Sequence, residues 1–262
     1  MSDGAPRPPK WRKKLRRSYV RWIRPHLASP LAQQRARLGF YGWSYLRLLG
    51  PSALAPSDRL RLIGGCLRTD WCLNHAHRPP EIVAVLRAIA TRRAAPGEAV
   101  VEAGCWQGGA TVKLSRVCAG LGYELWVYDS FAGVEAHVPE EGEYDFTGEY
   151  QASPEVLQAN LERFGTALPV TIVAGWFADT LGVGRVPERV QAVLVDCDLG
   201  KGTQEVLEAV RPRLSPAARV FTQDFHIPEV RSVIAEMGLP VAPVAYQLAE
   251  IGTGSWGPGD PH

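Results

Sequence analysis

The chain has 262 residues, 46% of them hydrophobic, and its 29 basic and 27 acidic residues leave a formal net charge of only +2. This length predicts one main domain that can bury a sizeable core, together with a smaller appendage. No apolar run approaches the ~20 residues of a membrane span, and no signal-peptide apolar core follows the basic start, which argues against an integral membrane protein. The five cysteines are odd in number and lack paired metal-ligand spacing, which indicates a reduced, cytoplasmic setting.

The start of the chain is strongly basic, since no acidic residue occurs between Asp3 and Asp58. Large apolar residues recur there at helical spacing and predict a basic amphipathic helix that ends near Pro25. These apolar positions are Trp11, Leu15, Tyr19, Trp22 and Ile23. Such a helix could contact an anionic membrane surface, nucleic acid or an acidic partner, and it could equally be a solvated arm or pack in a homo-oligomer.

Three helices are predicted next in the chain, over residues 33–49, 57–67 and 81–91. His75 and His77 precede the third helix. No carboxylate or cysteine accompanies these histidines at metal-ligand spacing. We therefore expect them to be polar surface residues rather than groups that flank a substrate or a metal.

A strand, a glycine-rich turn, a helix and a second strand form the most informative stretch of the chain. The turn contains Gly104, Gly108 and Gly109, and the second strand ends at Asp129. Glycines in such a turn let the backbone bend tightly and let a ligand approach closely. An acid at the end of the second strand can accept hydrogen bonds from a ribose diol. Glycine turns are also common in α/β proteins without a ligand, but the terminal acid favours a nucleoside cofactor.

The turn lacks the features of two phosphate-binding motifs. A dinucleotide fingerprint reads G-x-G-x-x-G, and a P-loop ends in Gly-Lys-Ser/Thr. The spacing here is Glu102-x-Gly104-x-x-x-Gly108, whose carboxylate would repel phosphate but can pair with a cationic or amine-bearing group. The methionyl part of S-adenosylmethionine is such a group, so this cofactor suits the turn.

The rest of the chain alternates strands and helices, which predicts a mostly parallel sheet covered on both faces. Helices are expected over 154–164, 203–213 and 228–237, strands over 170–174, 191–196 and 219–223, and a final hairpin over 241–251. Residues 132–150 are rich in acids, Pro and Gly. They predict a surface loop, which is either a lid over the acceptor or a solvated segment without a role.

Four stretches resemble the macrocin O-methyltransferase type family, whose members use S-adenosylmethionine to methylate sugar hydroxyls on macrolides. The stretches are 101–109, 126–133, 174–181 and 194–203, the last followed by Arg213-Leu-Ser-Pro216. The resemblance implies an α/β protein with the Rossmann-like class I methyltransferase fold. This fold has a mostly parallel seven-stranded sheet with helices on both faces and an antiparallel last strand, here from 247–256. A basic, helical N-terminal arm and cap would span 1–78, and the methyltransferase domain 79–262.

By resemblance, the cofactor-binding residues lie at the carboxyl ends of the strands, where ligands gather in such sheets. They are Glu102, Gly104, Trp106, Gly108, Gly109, Asp129, Ser130, Phe131, Gly175, Trp176, Phe177, Asp179 and Asp196. Trp176 and Phe177 would contact the adenine, and the Asp179 carboxylate would accept a hydrogen bond from the exocyclic amine of the adenine. Aromatic residues at such positions are also common in protein cores.

The resembled family depends on Mg²⁺, held by one carboxylate after the fourth strand and an acidic pair after the fifth. Asp196 matches the first position, but the pair reads Gln223-Asp224, and a glutamine oxygen is a weaker ligand than a carboxylate. Three alternatives follow: a weaker metal site at Asp196, Gln223 and Asp224, metal-independent methylation, or an inactive paralogue. His226 is the candidate general base and Asp196 the second catalytic candidate, although a histidine in such a loop is often only solvated or a helix cap.

Together these patterns predict an S-adenosylmethionine-dependent O-methyltransferase that acts on a hydroxyl of a small-molecule natural product, on a sugar or polyol moiety. Methylation of nucleic acid is an alternative that the basic arm suggests, but the acidic body and loop would repel a phosphate backbone. A further alternative is a degenerate methyltransferase fold that serves as a scaffold and docks a partner through its arm.

Overall fold

The computed structural model of the protein describes residues 29–137, 145, 147–182 and 185–253. The predicted amphipathic helix at the start of the chain lies outside these residues, as does the end of the predicted last strand. Within the described ranges, no helix is both long enough and apolar enough to cross a membrane.

Seven strands form a single sheet in the order β3-β2-β1-β4-β5-β7-β6. They are β1 (Glu98–Ala103), β2 (Glu124–Asp129), β3 (Val170–Ala174), β4 (Arg189–Val195), β5 (Leu214–Thr222), β6 (Val241–Ala245) and β7 (Leu248–Ile251). The first five strands pair in parallel, and β7 runs antiparallel to both β5 and β6. The predicted sheet, including its antiparallel last strand, is confirmed. The chain reverses its direction of travel across the sheet between β1 and β4, which places a crevice at their carboxyl ends.

Eight α-helices accompany the sheet within the described residues. They are α1 (Pro30–Tyr41), α2 (Pro56–Cys72), α3 (Pro79–Ile89), α4 (Thr111–Leu121), α5 (Pro154–Phe164), α6 (Phe177–Thr180), α7 (Gly200–Val210) and α8 (Pro228–Glu236). The α5 helix begins as its sequence predicts, because the Ser153 hydroxyl accepts the backbone N–H of Val156 at 3.3 Å and Pro154 needs no partner in the first turn.

The helices before residue 79 differ from the prediction. The segment 33–49 is two elements, since α1 ends at Tyr41 and a 3₁₀ helix (Gly42–Leu49) follows. The helix predicted over 57–67 begins at Pro56 and continues to Cys72, and Asp58 lies in its first turn rather than at its cap. Helix propensity did not predict the end of α1 or the start of α2. Gly42 and Pro56 mark these two positions more strongly than the capping residues do.

The sheet has a hydrophobic core on each face, because successive strand residues point to opposite sides. Val100 belongs to the core that packs against α2, α3, α4 and α5, whereas Val101 belongs to the core that packs against α7 and α8. Tyr45 and Leu62, from the predicted cap, are buried in the same cluster as Val100. The described part of the cap, from residue 29 onward, is therefore part of the core of the molecule and covers one face of the sheet.

Candidate functional site

The glycine turn after β1 is shaped by two close neighbours. Gly104 has φ +85°, and a Cβ atom there would lie 1.8 Å from the backbone oxygen of Asp196. A Cβ atom at Gly109 would lie 2.3 Å from the Cβ of His75. Only glycine fits at these two positions, because one is a left-handed residue pressed against β4 and the other faces the segment before α3.

The Asp129 carboxylate ties the turn to the end of β2. Its Oδ2 atom accepts the backbone N–H groups of Cys105 at 2.7 Å and Trp106 at 3.0 Å, and its Oδ1 atom accepts that of Phe131 at 2.7 Å. A carboxylate has about four lone-pair sites, so Asp129 keeps capacity for further donors. The side chain that the sequence assigns to a ribose thus also fixes the backbone around it.

A cavity of about 280 Å³ opens at the carboxyl ends of the central strands. This volume is near the lower end of small-molecule sites, which are about 300–1,000 Å³. The structure brings together at this cavity eleven of the residues predicted from the sequence: Gly104, Trp106, Gly109, Asp129, Ser130, Trp176, Phe177, Asp196, Gln223, Asp224 and His226. They come from segments spread over more than a hundred residues, so the fold assembles the site.

Five predicted residues lie outside the cavity lining. Gly108 packs against Leu157, Phe131 is buried, and Gly175 forms the turn after β3 with φ +139°. Asp179 is exposed on α6. Glu102 lies beneath the turn with a relative exposure of 0%, and burial raises the pKa of its carboxyl to about 8.

Three aspartates after β4 and β5 make one side of the cavity acidic. Burial and the charges of Asp224 and Asp198 raise the pKa of Asp196, and burial and the charges of Asp224 and Asp129 raise the pKa of Asp198. Asp224 Oδ2 accepts the Asp198 backbone N–H at 2.9 Å. This side of the cavity therefore suits a cation or a hydroxyl donor.

The predicted metal set consists of oxygen donors. Gln223 is almost fully buried, and its Oε1 atom has no hydrogen-bond partner among the described residues. Asp196 and Asp224 add carboxylate oxygens. In the part of the chain that is described, no group of three or more His, Cys, Asp or Glu side chains could hold a metal ion, so a site here must count the Gln223 oxygen. Two carboxylates and an amide oxygen fit a hard cation such as Mg²⁺ in ligand type.

The expectation that His75 and His77 are surface residues is wrong. Their relative exposures are 3% and 4%, and both line the cavity. His77 Nε2 lies 3.4 Å from Asp196 Oδ2. Burial lowers the pKa of His77 to about 3, so the ring is neutral at pH 7 and this contact is not an ion pair. The segment before α3 is therefore a wall of the site.

Two contacts at the mouth of the cavity were not predicted. Lys201, in the first turn of α7, pairs with Glu135 at 2.9 Å. Tyr150 packs edge-on against Trp106 with ring centroids 5.4 Å apart. Glu135 and Tyr150 belong to the described ends of the acidic loop, and that loop was the signal that could have indicated them. These described ends of the loop contribute to the cavity wall, so they are not only a solvated segment.

The candidate base and the aromatic pair lie toward the rim. His226 is exposed there, and partial desolvation, together with Arg78 and Arg231, lowers the pKa of its imidazole. Trp176 is 40% exposed at the start of α6, and Phe177 is partly buried beside it. Both aromatic rings line the cavity, so they are available to contact a planar base.

The fold is similar to that of solved methyltransferases. The O-methyltransferase NovP is 17% identical with a TM-score of 0.56, and the match covers 85% of this chain and 98% of NovP. The SAH-bound methyltransferase PaMTH1 of Podospora anserina is 11% identical with a TM-score of 0.51, and the match covers 84% of this chain and 94% of PaMTH1. At these identities the likeness shows the fold alone.

Two curated enzymes are similar in sequence. The 8-demethyl-8-(2,3-dimethoxy-alpha-L-rhamnosyl)-tetracenomycin-C 4'-O-methyltransferase of Streptomyces olivaceus is 32% identical over 150 residues, which is 53% of this chain and 57% of that enzyme. The mycinamicin III 3''-O-methyltransferase of Micromonospora griseorubida is 30% identical over 160 residues, which is 56% of this chain and 62% of that enzyme. The chain thus spans less than two thirds of the length of these relatives.

The family model described as macrocin-O-methyltransferase (TylF) matches residues 77–238, which is more than half of the chain. The matched range contains β1 to β5 and all the residues predicted for the site. The resemblance inferred from the four sequence stretches is therefore confirmed, and the chain belongs to the macrocin-O-methyltransferase (TylF) family.

Proposed function

We propose that this protein is an S-adenosylmethionine-dependent O-methyltransferase that acts on a hydroxyl of a sugar or polyol moiety in a small-molecule natural product. The observation that carries the proposal is the cavity at the carboxyl ends of the strands, where Asp129 and the glycine turn face Asp196 and Asp224. Family membership supports the reaction type.

The cofactor would bind along the glycine turn. Asp129 would accept hydrogen bonds from the ribose hydroxyls with the lone pairs that its three backbone donors leave free. Trp176 and Phe177 would contact the adenine. The positive sulfonium would lie in a cavity lined by aspartates. Among the described lining residues, the one lysine or arginine is Lys201 at the mouth, and it pairs with Glu135.

For methyl transfer, the protein must align the cofactor with the acceptor and remove one proton from the acceptor hydroxyl. The bond from the methyl carbon to the acceptor oxygen forms as the bond from that carbon to sulfur breaks, so the two reactants must be held in line. His226 would take the hydroxyl proton, because its lowered pKa leaves the imidazole neutral near pH 7. Asp196 would orient the hydroxyl as a hydrogen-bond acceptor. When bound by Asp196, Gln223 and Asp224, Mg²⁺ would lower the pKa of the acceptor hydroxyl.

A neutral, hydroxyl-rich acceptor suits this cavity. Glu135 and Glu205 line its outer part together with the aspartates, and carboxylates accept hydrogen bonds from hydroxyls. The two curated relatives are named for a 4'-O- and a 3''-O-methylation, the former of a rhamnosyl tetracenomycin. The same carboxylates would repel a nucleic-acid backbone, which disfavours that alternative. All five cysteines are free, as in a reduced cytoplasmic protein. Self-association through the basic arm stays a prediction.

The proposal is tested in two steps. Calorimetry should detect binding of S-adenosylhomocysteine to the purified full chain, and incubation with S-adenosylmethionine and a panel of glycosides should release S-adenosylhomocysteine. Binding without turnover on any hydroxylated acceptor would favour the scaffold alternative. Absence of binding would remove the cofactor itself from the proposal.

A further inference from the structure

A fully buried ion pair lies beneath the glycine turn. Lys113 Nζ, from α4, is 2.5 Å from Asp70 Oδ1, from α2, and both side chains have 0% exposure. The Tyr45 hydroxyl donates to the other oxygen, Asp70 Oδ2, at 2.7 Å. The charge of Asp70 is therefore balanced and held in place by groups from two other elements, α4 and the 3₁₀ helix.

His75 completes this buried polar cluster. Its Nε2 atom lies 2.6 Å from Asp70 Oδ1, a distance at which the Nε2–H donates to the carboxylate. The Gln34 amide also contacts Nε2, and it can present either its oxygen or its nitrogen after a half-turn, so it does not decide the tautomer. Lys113 Nζ lies 3.2 Å from the same Nε2 atom, but this ammonium has a closer acceptor in Asp70 Oδ1 at 2.5 Å. The shorter contact of Nε2 to Asp70 therefore assigns the ring proton to Nε2. With the proton on Nε2, the Nδ1 atom of the neutral ring carries a free lone pair.

The Nδ1 atom of His75 has no hydrogen-bond partner among the described residues and is buried. A buried acceptor without a donor costs free energy, so a group that supplies the donor is expected. His75 lines the cavity and its ring packs on Gly109, in the turn that would contact the cofactor. The missing donor would therefore come from a ligand in this cavity.

We propose that His75 Nδ1 accepts a hydrogen bond from the α-ammonium group of the cofactor's methionyl end, with Asp70 and Lys113 as positioning residues that fix the ring and its tautomer. The inference deepens the proposed function and rests on it. An ammonium has donors and no acceptor, which matches a lone pair. The nearby Asp196, 3.4 Å from His77, adds a carboxylate to the same wall and favours a cation over the methionyl carboxylate.

Two substitutions separate this role from a structural one. In His75→Asn, the side-chain amide takes the place of Nδ1 and can still accept a hydrogen bond from the ligand. In His75→Gln, the amide takes the place of Nε2, so it keeps the contact to Asp70 but has no acceptor at the Nδ1 position. Four ligands are titrated into each protein: S-adenosylhomocysteine, its decarboxylated analogue, its desamino analogue and 5'-methylthioadenosine. We expect His75→Gln to lose on the order of 10- to 100-fold in affinity for the two ligands that carry the amine, and none for the other two. His75→Asn should stay within a few-fold of wild type.

Three results would overturn the inference. One is a larger loss of affinity in His75→Asn than in His75→Gln, and another is an equal loss of affinity for all four ligands. The third is a loss of affinity for the ligands that carry the carboxylate rather than for those that carry the amine. Wild type that fails to bind S-adenosylhomocysteine would instead reject the proposed function, and this result is read before any variant is made. A second measurement does not depend on the folding of the variants. In ¹⁵N-histidine NMR spectra of wild type, the Nδ1 resonance of His75 should move upfield with S-adenosylhomocysteine and not with the desamino analogue, and an identical response to both would also overturn it.

Discussion

The Asp129 carboxylate accepts a hydrogen bond from the backbone N–H of Cys105 at 2.7 Å, which links the end of β2 to the glycine turn after β1. Because the same carboxylate accepts two further N–H groups, its substitution should affect both the cofactor and the fold. We expect Asp129→Ala to weaken binding of S-adenosylhomocysteine by about 1–3 kcal/mol and to lower the melting temperature. Calorimetry and thermal unfolding measure the two effects. Glu236→Ala, at an exposed carboxylate at the end of α8 and outside the cavity, is the control, and unchanged affinity in Asp129→Ala would remove Asp129 from the cofactor site.

Glu102 should make the stability of the unliganded protein depend on pH. Its pKa is raised by burial from 4.5 to about 8, so the folded protein holds a proton that the unfolded chain releases. The stability that this proton provides is complete below about pH 4.5 and is lost as the pH rises towards 8. Glu102→Gln should therefore lose less unfolding free energy than wild type between about pH 5 and pH 8 in denaturant titrations. Parallel pH profiles for the two proteins would contradict the raised pKa.

The buried ion pair should matter far more than an exposed one. Lys113→Met leaves the Asp70 charge in the interior without its counter-charge, and we expect a loss of about 3–5 kcal/mol of unfolding free energy. The matched control is Asp58→Asn, which breaks an exposed pair with Arg61 at 3.1 Å and should cost less than about 1 kcal/mol. Urea unfolding of the three proteins compares them directly. Similar small losses in both variants would mean that Asp70 is protonated or hydrated in solution.

Gln223 provides a test of the metal. If Asp196, Asp224 and the Gln223 oxygen hold Mg²⁺, a chelator should suppress methyl transfer and added Mg²⁺ should restore it. Gln223→Asp adds a negative charge and should lower the Mg²⁺ concentration needed for half-maximal binding, measured by calorimetry as well as by activity. Turnover that is indifferent both to chelator and to Asp196→Asn would discard the metal.

His226 is tested separately from cofactor binding. His226→Ala should slow turnover by roughly 10²–10⁴-fold if the imidazole takes the acceptor proton, while the affinity for S-adenosylhomocysteine stays close to that of wild type. The rate of wild type should rise with pH as the imidazole loses its proton, with a midpoint below 6.5 because the pKa of His226 is lowered. A variant that keeps the wild-type rate would assign the proton transfer to another group.

The glycine turn, its strands and eleven of the residues that line the cavity could be predicted because their signals are local. Gly104 follows one short apolar strand and Asp129 ends the next, and parallel strands bring their carboxyl ends to one edge. The alternation of strands and helices then defines the sheet. These features depend on neighbours in the sequence and on general rules of topology.

His75 and His77 could not be placed in this way. They lie in an irregular segment between α2 and α3, where no periodic pattern reports burial. Their burial follows from contacts with Lys113 and Asp196, which are distant in the sequence and have no visible relation to the histidines until the chain is folded. Charged side chains such as Asp70 and Lys113 are also expected at the surface, since they are rarely buried unless paired.

The Asp70–Lys113 contact also bears on how this molecule can change in evolution. The cap supplies the anion and the first helix after the glycine turn supplies the cation, so neither part can be exchanged alone for its counterpart from a relative without leaving one charge behind. Residues 70 and 113 should therefore be inherited as a unit, both charged or both neutral. A chimera whose parts are joined at position 79 should fold only when both donor sequences carry charged residues at these two positions or both carry neutral ones.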